Sequence, residues 1–126
     1  MDTDRARPDE RHSGAQKVVF LCFTEPVHMS AEEMRPHLAE HKAWLGETER
    51  AGSLLFAGPV LDDDYHYSGS GLLVIQAGSL AEAQSVADAD PFHAKGIRKY
   101  KLLPWQINEG AFDVRLSLSD GRFTFS

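Results

Sequence analysis

The chain has 126 residues, 42% of them hydrophobic and 25% charged, with a formal net charge of −6. That is enough for one domain with its own core, and the composition is that of an ordinary soluble globular protein. The acidic balance and the absence of a basic stripe argue against a nucleic-acid partner.

The densest basic group, Lys95, Arg98, Lys99 and Lys101, reads as a solvated strand edge. The longest apolar run, Val18 to Phe23, is too short to span a bilayer. The N-terminal stretch has no apolar segment of the kind a secretory signal needs. The single cysteine, Cys22, lies within the apolar run and reads as a small buried hydrophobe rather than a nucleophile. A cytoplasmic protein without membrane attachment is expected.

Residues 1–16 are polar, mixed in charge and without periodicity, which predicts a disordered tail. Residues 17–25, KVVFLCFTE, predict a strand that is apolar on both faces. A helical segment follows, opened by the capping-box pair Ser30 and Glu33 and closed at Gly52. Pro36 predicts a break near Arg35, with the main helix starting at the proline. SLLFAGPV predicts a second strand, LDDDYHYSGSG a loop, and LLVIQAG a third strand. Ser79 and Glu82 repeat the capping signature before LAEAQSVADAD, and Pro91 stops that helix before or at Asp90. RKYKLLPWQI predicts the fourth strand.

The order β-α-β-β-α-β is that of a ferredoxin-like α+β sandwich over residues 17–107. Both helices should cover one face of the sheet, yet the first strand is apolar on both. A homodimer joined through its sheet faces, forming a dimeric α+β barrel, would cover the other. Beyond it, residues 108–126 predict a C-terminal β-hairpin extension. Phe112, Val114, Leu116 and Leu118 alternate, Asp120-Gly121 marks the turn, and Phe123 and Phe125 continue one face. Its apolar side should pack on the domain or on a partner subunit.

Met34, Leu38, His41, Leu45 and Thr48 are spaced as one helix face, placing His41 in an inward stripe. Leu80, Ala83, Ala87 and Asp90 make a similar stripe, whereas Asp88 points to solvent. An imidazole and a carboxylate are thereby directed to one region. Such a pair fixes the ring tautomer and stabilises the imidazolium formed on proton uptake. Core packing of the histidine and a plain helix stop at the aspartate are the competing readings.

The segment HKAWLGETERAGSLLFAGP (41–59), followed by DADPF (88–92), resembles the YciI-related family. The shared features are an inward histidine, a glycine eleven residues later, a strand ending in Ala-Gly-Pro, and a later Ala-Asp-Ala-Asp-Pro with an aromatic next. The resemblance implies ferredoxin-like dimers with a His–Asp pair, here His41 and Asp90. It also points to dehydrochlorinases of chlorinated hydroxyhydroquinones as the best-understood relatives. Arg35-Pro36-His37-Leu38 also resembles the family's Arg-Pro-x-His-Leu entry, which leaves His37 as an alternative to His41.

Phe92 and Trp44 are candidate pocket walls, with core packing as the alternative. His93 reads as an exposed turn residue. The acidic stretch Asp62 to Tyr67 matches no metal-ligand spacing, and with Ser68–Gly71 as a hinge it could form a lid. No motif suggests a cofactor or a metal. The expected function is acid–base chemistry, an elimination or isomerisation, on a small, cyclic or aromatic molecule. The alternatives are a small-molecule binding or sensing module and a non-catalytic oligomeric accessory protein.

Overall fold

In the computed structural model, residues 17–125 are described. The expected disordered tail, residues 1–16, lies outside them. Residues Val18–Gln106 form one compact unit, and the residues from Ile107 onward belong to a second.

The first unit is an open ferredoxin-like sandwich. Its strands are β1 (Lys17–Pro26), β2 (Leu54–Leu61), β3 (Tyr67–Ile75) and β4 (Arg98–Ile107). They lie in the order β2-β3-β1-β4, with β3 antiparallel to both β1 and β2. The register puts Cys22 opposite Leu73 and Leu73 opposite Ala57, so these share the helix-covered face. Leu21, Val74 and Phe56 are aligned on the opposite face.

Helix α1 (Ala31–Met34) begins with the complete reciprocal cap: Glu33 N–H donates to Ser30 Oγ and Ser30 N–H to Glu33 Oε1. Pro36 sits within a single 3-10 turn, Arg35–His37, and α2 (Leu38–Arg50) starts two residues after the proline. A proline is best tolerated where its missing N–H has no intrahelical partner, and the tighter turn supplies that place. Thr48 N-terminal to the exit and Gly52 after it close α2. Gly52 N–H donates to Glu49 O and Ser53 N–H to Thr48 O, with Gly52 at φ +82°.

Helix α3 (Leu80–Asp88) is capped by Ser79, whose Oγ accepts from Glu82 N–H. The Glu82 carboxylate returns to Gly78 N–H rather than to the cap residue. Chain geometry then departs from a simple helix stop. Asp90 is extended and opens a separate short helix, α4 (Pro91–Ala94), with Pro91 in its first turn.

The core lies between the sheet and the helices. Phe20, Cys22, Leu54, Leu73, Ile75, Ala83 and Ala87 are buried together, with Trp44, Leu45, Val86, Tyr100 and Leu102 packed against them. Met34, Phe92 and Ile97 form a second buried group. Burial pushes the Cys22 thiol up to about 12, and the nearby negative charge of Asp90 adds to the effect.

Two expectations are corrected here. Residues 67–71 belong to β3, so the proposed hinge Ser68–Gly71 is strand, and the loop is confined to 62–66. Arg98 is not part of a solvated edge: it is 7% exposed, whereas Lys95 and Lys99 are exposed and pair with Glu40 and Glu25.

In the second unit, β5 (Val114–Ser117) and β6 (Arg122–Phe125) form a two-stranded antiparallel sheet. Leu116 opposes Phe123 and Val114 opposes Phe125. Leu118 falls in the turn and is 92% exposed rather than continuing the strand.

Candidate functional site

The inward stripe of α2 and the start of α4 bring two side chains together. His41 Nδ1 lies 2.9 Å from Asp90 Oδ1, and the carboxylate is 1% exposed while the imidazole is 19% exposed. The same Oδ1 accepts the backbone N–H of Phe92 at 3.0 Å. Asp90 therefore occupies the N-cap of α4, where the helix dipole favours a negative charge. Pro91 fixes the first turn that makes this cap. The acid is the cap of a new helix and not a plain stop to α3.

Phe92 continues the construction. Its ring stacks on His41 with centroids 4.5 Å apart at 26°, and it is buried against Met34 and Ile97. Trp44, one turn along α2, is 6.3 Å from the imidazole and packs on the main core. His37 is at the junction of the 3-10 turn and α2, as the residue before the helix. Asp88 is exposed, yet accepts a 2.6 Å hydrogen bond from the Tyr100 hydroxyl.

With Nδ1 committed to Asp90, Nε2 is the remaining nitrogen of His41, and the ring lines a cavity of about 230 Å³. Leu38, Leu45, Phe92, Leu73 and Pro59 supply apolar wall; Thr24, Tyr67 and Arg98 supply the polar part. Gly71 lets the backbone close beside this wall, since a Cβ there would stand 3.3 Å from Thr24 Cγ2 and 3.5 Å from the Gly58 carbonyl. His37 and Trp44 are not among the residues that line it.

A polar chain runs behind the cavity. His93 Nδ1 is 2.7 Å from the Ala87 carbonyl, which can only accept, so this nitrogen carries the proton. Nε2 then accepts from the Thr24 hydroxyl at 2.8 Å, and Thr24 Oγ1 accepts from Arg98 Nε at 3.0 Å. Desolvation holds the His93 pKa below the ordinary imidazole value, which keeps the ring in the neutral form this chain needs. His93 is thus half-buried and bonded at both nitrogens, not an exposed turn residue.

Arg98 and His93 carried no sequence motif. The available signal for Arg98 was strand alternation: Tyr100 and Leu102 face the core, and Arg98 shares their side of β4.

Elsewhere, the donor atoms of Asp62, Asp64 and His66 lie within 4.8 Å of one another on the exposed loop. Asp62 Oδ1 accepts the N–H groups of Asp64 and His66, so the carboxylate organises the turn. Among the described residues, no helix is long and apolar enough to cross a membrane.

The YCII-related domain family matches residues 17–106. The chain belongs to this family. A comparison with curated proteins returns no match. Among solved structures, the chain is similar to the 5-chloro-2-hydroxyhydroquinone dehydrochlorinase of Burkholderia phenoliruptrix in complex with 2,5-dihydroxybenzoquinone. The similarity has a TM-score of 0.57 at 24% identity and covers 69% of this chain and 92% of that one. It supports the ferredoxin-like fold of this YCII-related protein.

Proposed function

We propose that this YCII-related protein is a small-molecule enzyme in which His41 and Asp90 perform acid–base chemistry without a cofactor. The observation that carries the reading is the 2.9 Å contact between a buried carboxylate and His41 Nδ1, with the same ring lining a cavity. Asp90 orients the imidazole so that Nε2 is the proton acceptor, and its charge stabilises the resulting imidazolium. Phe92 holds the ring plane by stacking. The cavity suits one small ring, and the dehydrochlorinase similarity favours elimination: a proton passes to Nε2 while the leaving group departs with its bonding electrons. Isomerisation uses the same proton transfer, with Nε2 returning the proton to another atom.

The working unit in this reading is a cytoplasmic homodimer joined through the sheet face opposite the helices. Phe23, Phe56, Leu103 and Trp105 are exposed on the single chain, and the strand registers and alternation put them on that face. Covering a contiguous apolar surface of this kind is a strong drive to association.

Chloride release from 5-chloro-2-hydroxyhydroquinone tests the chemistry. The wild type is expected to release chloride, and His41→Asn to lower the rate by about 10²–10⁴-fold. No chloride release by the wild type would overturn elimination, and an undiminished His41→Asn rate would overturn the role of the pair. Sedimentation analysis tests the dimer, which Trp105→Glu should dissociate.

A further inference from the structure

Arg98 is a cation held out of water with no carboxylate partner among the described residues. Its guanidinium has five N–H donors. Nε donates to Thr24 Oγ1 at 3.0 Å, and Nη2 donates to the carbonyls of Thr24 at 3.0 Å and Gly69 at 2.9 Å. All three acceptors are neutral oxygens. Nη1 is left with two weaker contacts, the Tyr67 hydroxyl at 3.4 Å and Met34 Sδ at 3.9 Å. Arg98, Tyr67 and Thr24 all line the cavity that His41 lines.

Burying an unpaired charge is costly; neutral acceptors offset part of that cost, and an opposite charge offsets more. The Thr24–His93 chain fixes the guanidinium on its other side, so its orientation is set before a ligand enters. A neutral oxygen could accept from Nη1 but would leave the charge unpaired. An anionic oxygen would answer both, through the short charge-assisted hydrogen bonds that an arginine fork favours.

We propose that Arg98 is the anion-binding residue of this cavity, and that the natural ligand is a small ring bearing an ionised oxygen, bound by Nη1 beside the Tyr67 hydroxyl. The proposal rests on reading the cavity as a small-molecule site; it does not require His41 to move a proton. Carboxylate and phenolate or enolate share the recognising chemistry.

Calorimetric titration of the full chain at pH 8 tests this with benzoate, 4-nitrophenolate and neutral benzamide. At least one anion should bind the wild type roughly tenfold or more tightly than benzamide. Which anion binds better identifies the oxygen as carboxylate or phenolate. Arg98→Gln should abolish the preference. Should Arg98→Gln fail to fold, Arg98→Lys decides: it keeps the charge, loses the fork, and should reduce the preference about threefold or more.

Equal binding of benzamide and the anions, no anion binding at millimolar concentration, or a preference unchanged in Arg98→Lys would each overturn the proposal. Loss of chloride release with the anion preference intact would instead count against the acid–base reading alone.

Discussion

Asp90 Oδ1 accepts hydrogen bonds from both His41 Nδ1, at 2.9 Å, and the N–H of Phe92, at 3.0 Å. One oxygen therefore ties α2 to the first turn of α4. The two bonds differ in what they tolerate. The helix cap needs only an acceptor, while the imidazole is served best by a charge.

Asp90→Asn and Asp90→Ala should separate these two duties. Asparagine keeps the cap, so urea denaturation should show a loss of about 1–2 kcal/mol. Alanine removes the cap and strands a half-buried imidazole, and the loss should reach roughly 3 kcal/mol or more. Both should lower turnover by a similar factor, since neither provides a carboxylate. Equal stability losses for the two variants would show that the cap is not made by this side chain.

Phe92 has a packing duty and an orienting duty. It is 5% exposed in the group with Met34 and Ile97, and its ring stacks on His41 at 4.5 Å. Phe92→Ala should cost about 3–5 kcal/mol, the usual range for deleting a buried aromatic ring. Phe92→Leu retains much of the volume and should cost less than half as much. It should still slow turnover, because the stack that fixes the imidazole plane is gone. Full activity in Phe92→Leu would mean that Asp90 alone orients the ring.

The parts legible in the sequence were those with local, repeated chemistry. Ser30 with Glu33 and Ser79 with Glu82 mark real helix starts, and the element order leads to the ferredoxin-like sheet. The inward stripe of α2 carries His41, whereas Asp90 reaches it from the N-cap of α4 and not from a stripe of α3, whose Leu80 is exposed. The nature of the Asp90 backbone was hidden, because a four-residue helix is too short to show a hydrophobic period. Tyr67–Gly71 read as loop because serine and glycine have poor strand propensity; pairing with β1 and β2 overrides it. Arg98 was hidden for a different reason. Its burial depends on the Thr24 and Gly69 carbonyls, 74 and 29 residues away in the chain, and no local pattern encodes such partners.

Gly52 offers a test of the α2 exit that does not touch the cavity. Its φ of +82° is in the left-handed region, and nothing lies within 4 Å of where a Cβ would be. Strain rather than collision sets the penalty. Gly52→Ala should therefore cost about 1 kcal/mol, and thermal unfolding should show a lower midpoint with unchanged anion binding. A neutral or stabilising substitution would mean that the Schellman turn at Glu49 and Thr48 is not maintained in solution.

His93 makes stability depend on pH with a sign that its surroundings determine. Desolvation lowers its folded-state pKa, outweighing the hydrogen bond to Ala87 and the charge of Asp90, which raise it. The unfolded ring takes up a proton at the ordinary imidazole value while the folded ring still resists. The contribution is therefore present above that value, and is lost as pH falls through it toward the lowered one. His93→Gln can donate to the Ala87 carbonyl and accept from Thr24 without titrating. Urea midpoints measured from pH 8 to pH 5 should fall more steeply for the wild type than for the variant. Parallel curves would show that the ring does not remain neutral between Ala87 and Thr24, and the direction of the Thr24–His93 hydrogen bond would have to be reversed, with Nε2 donating to Thr24 Oγ1.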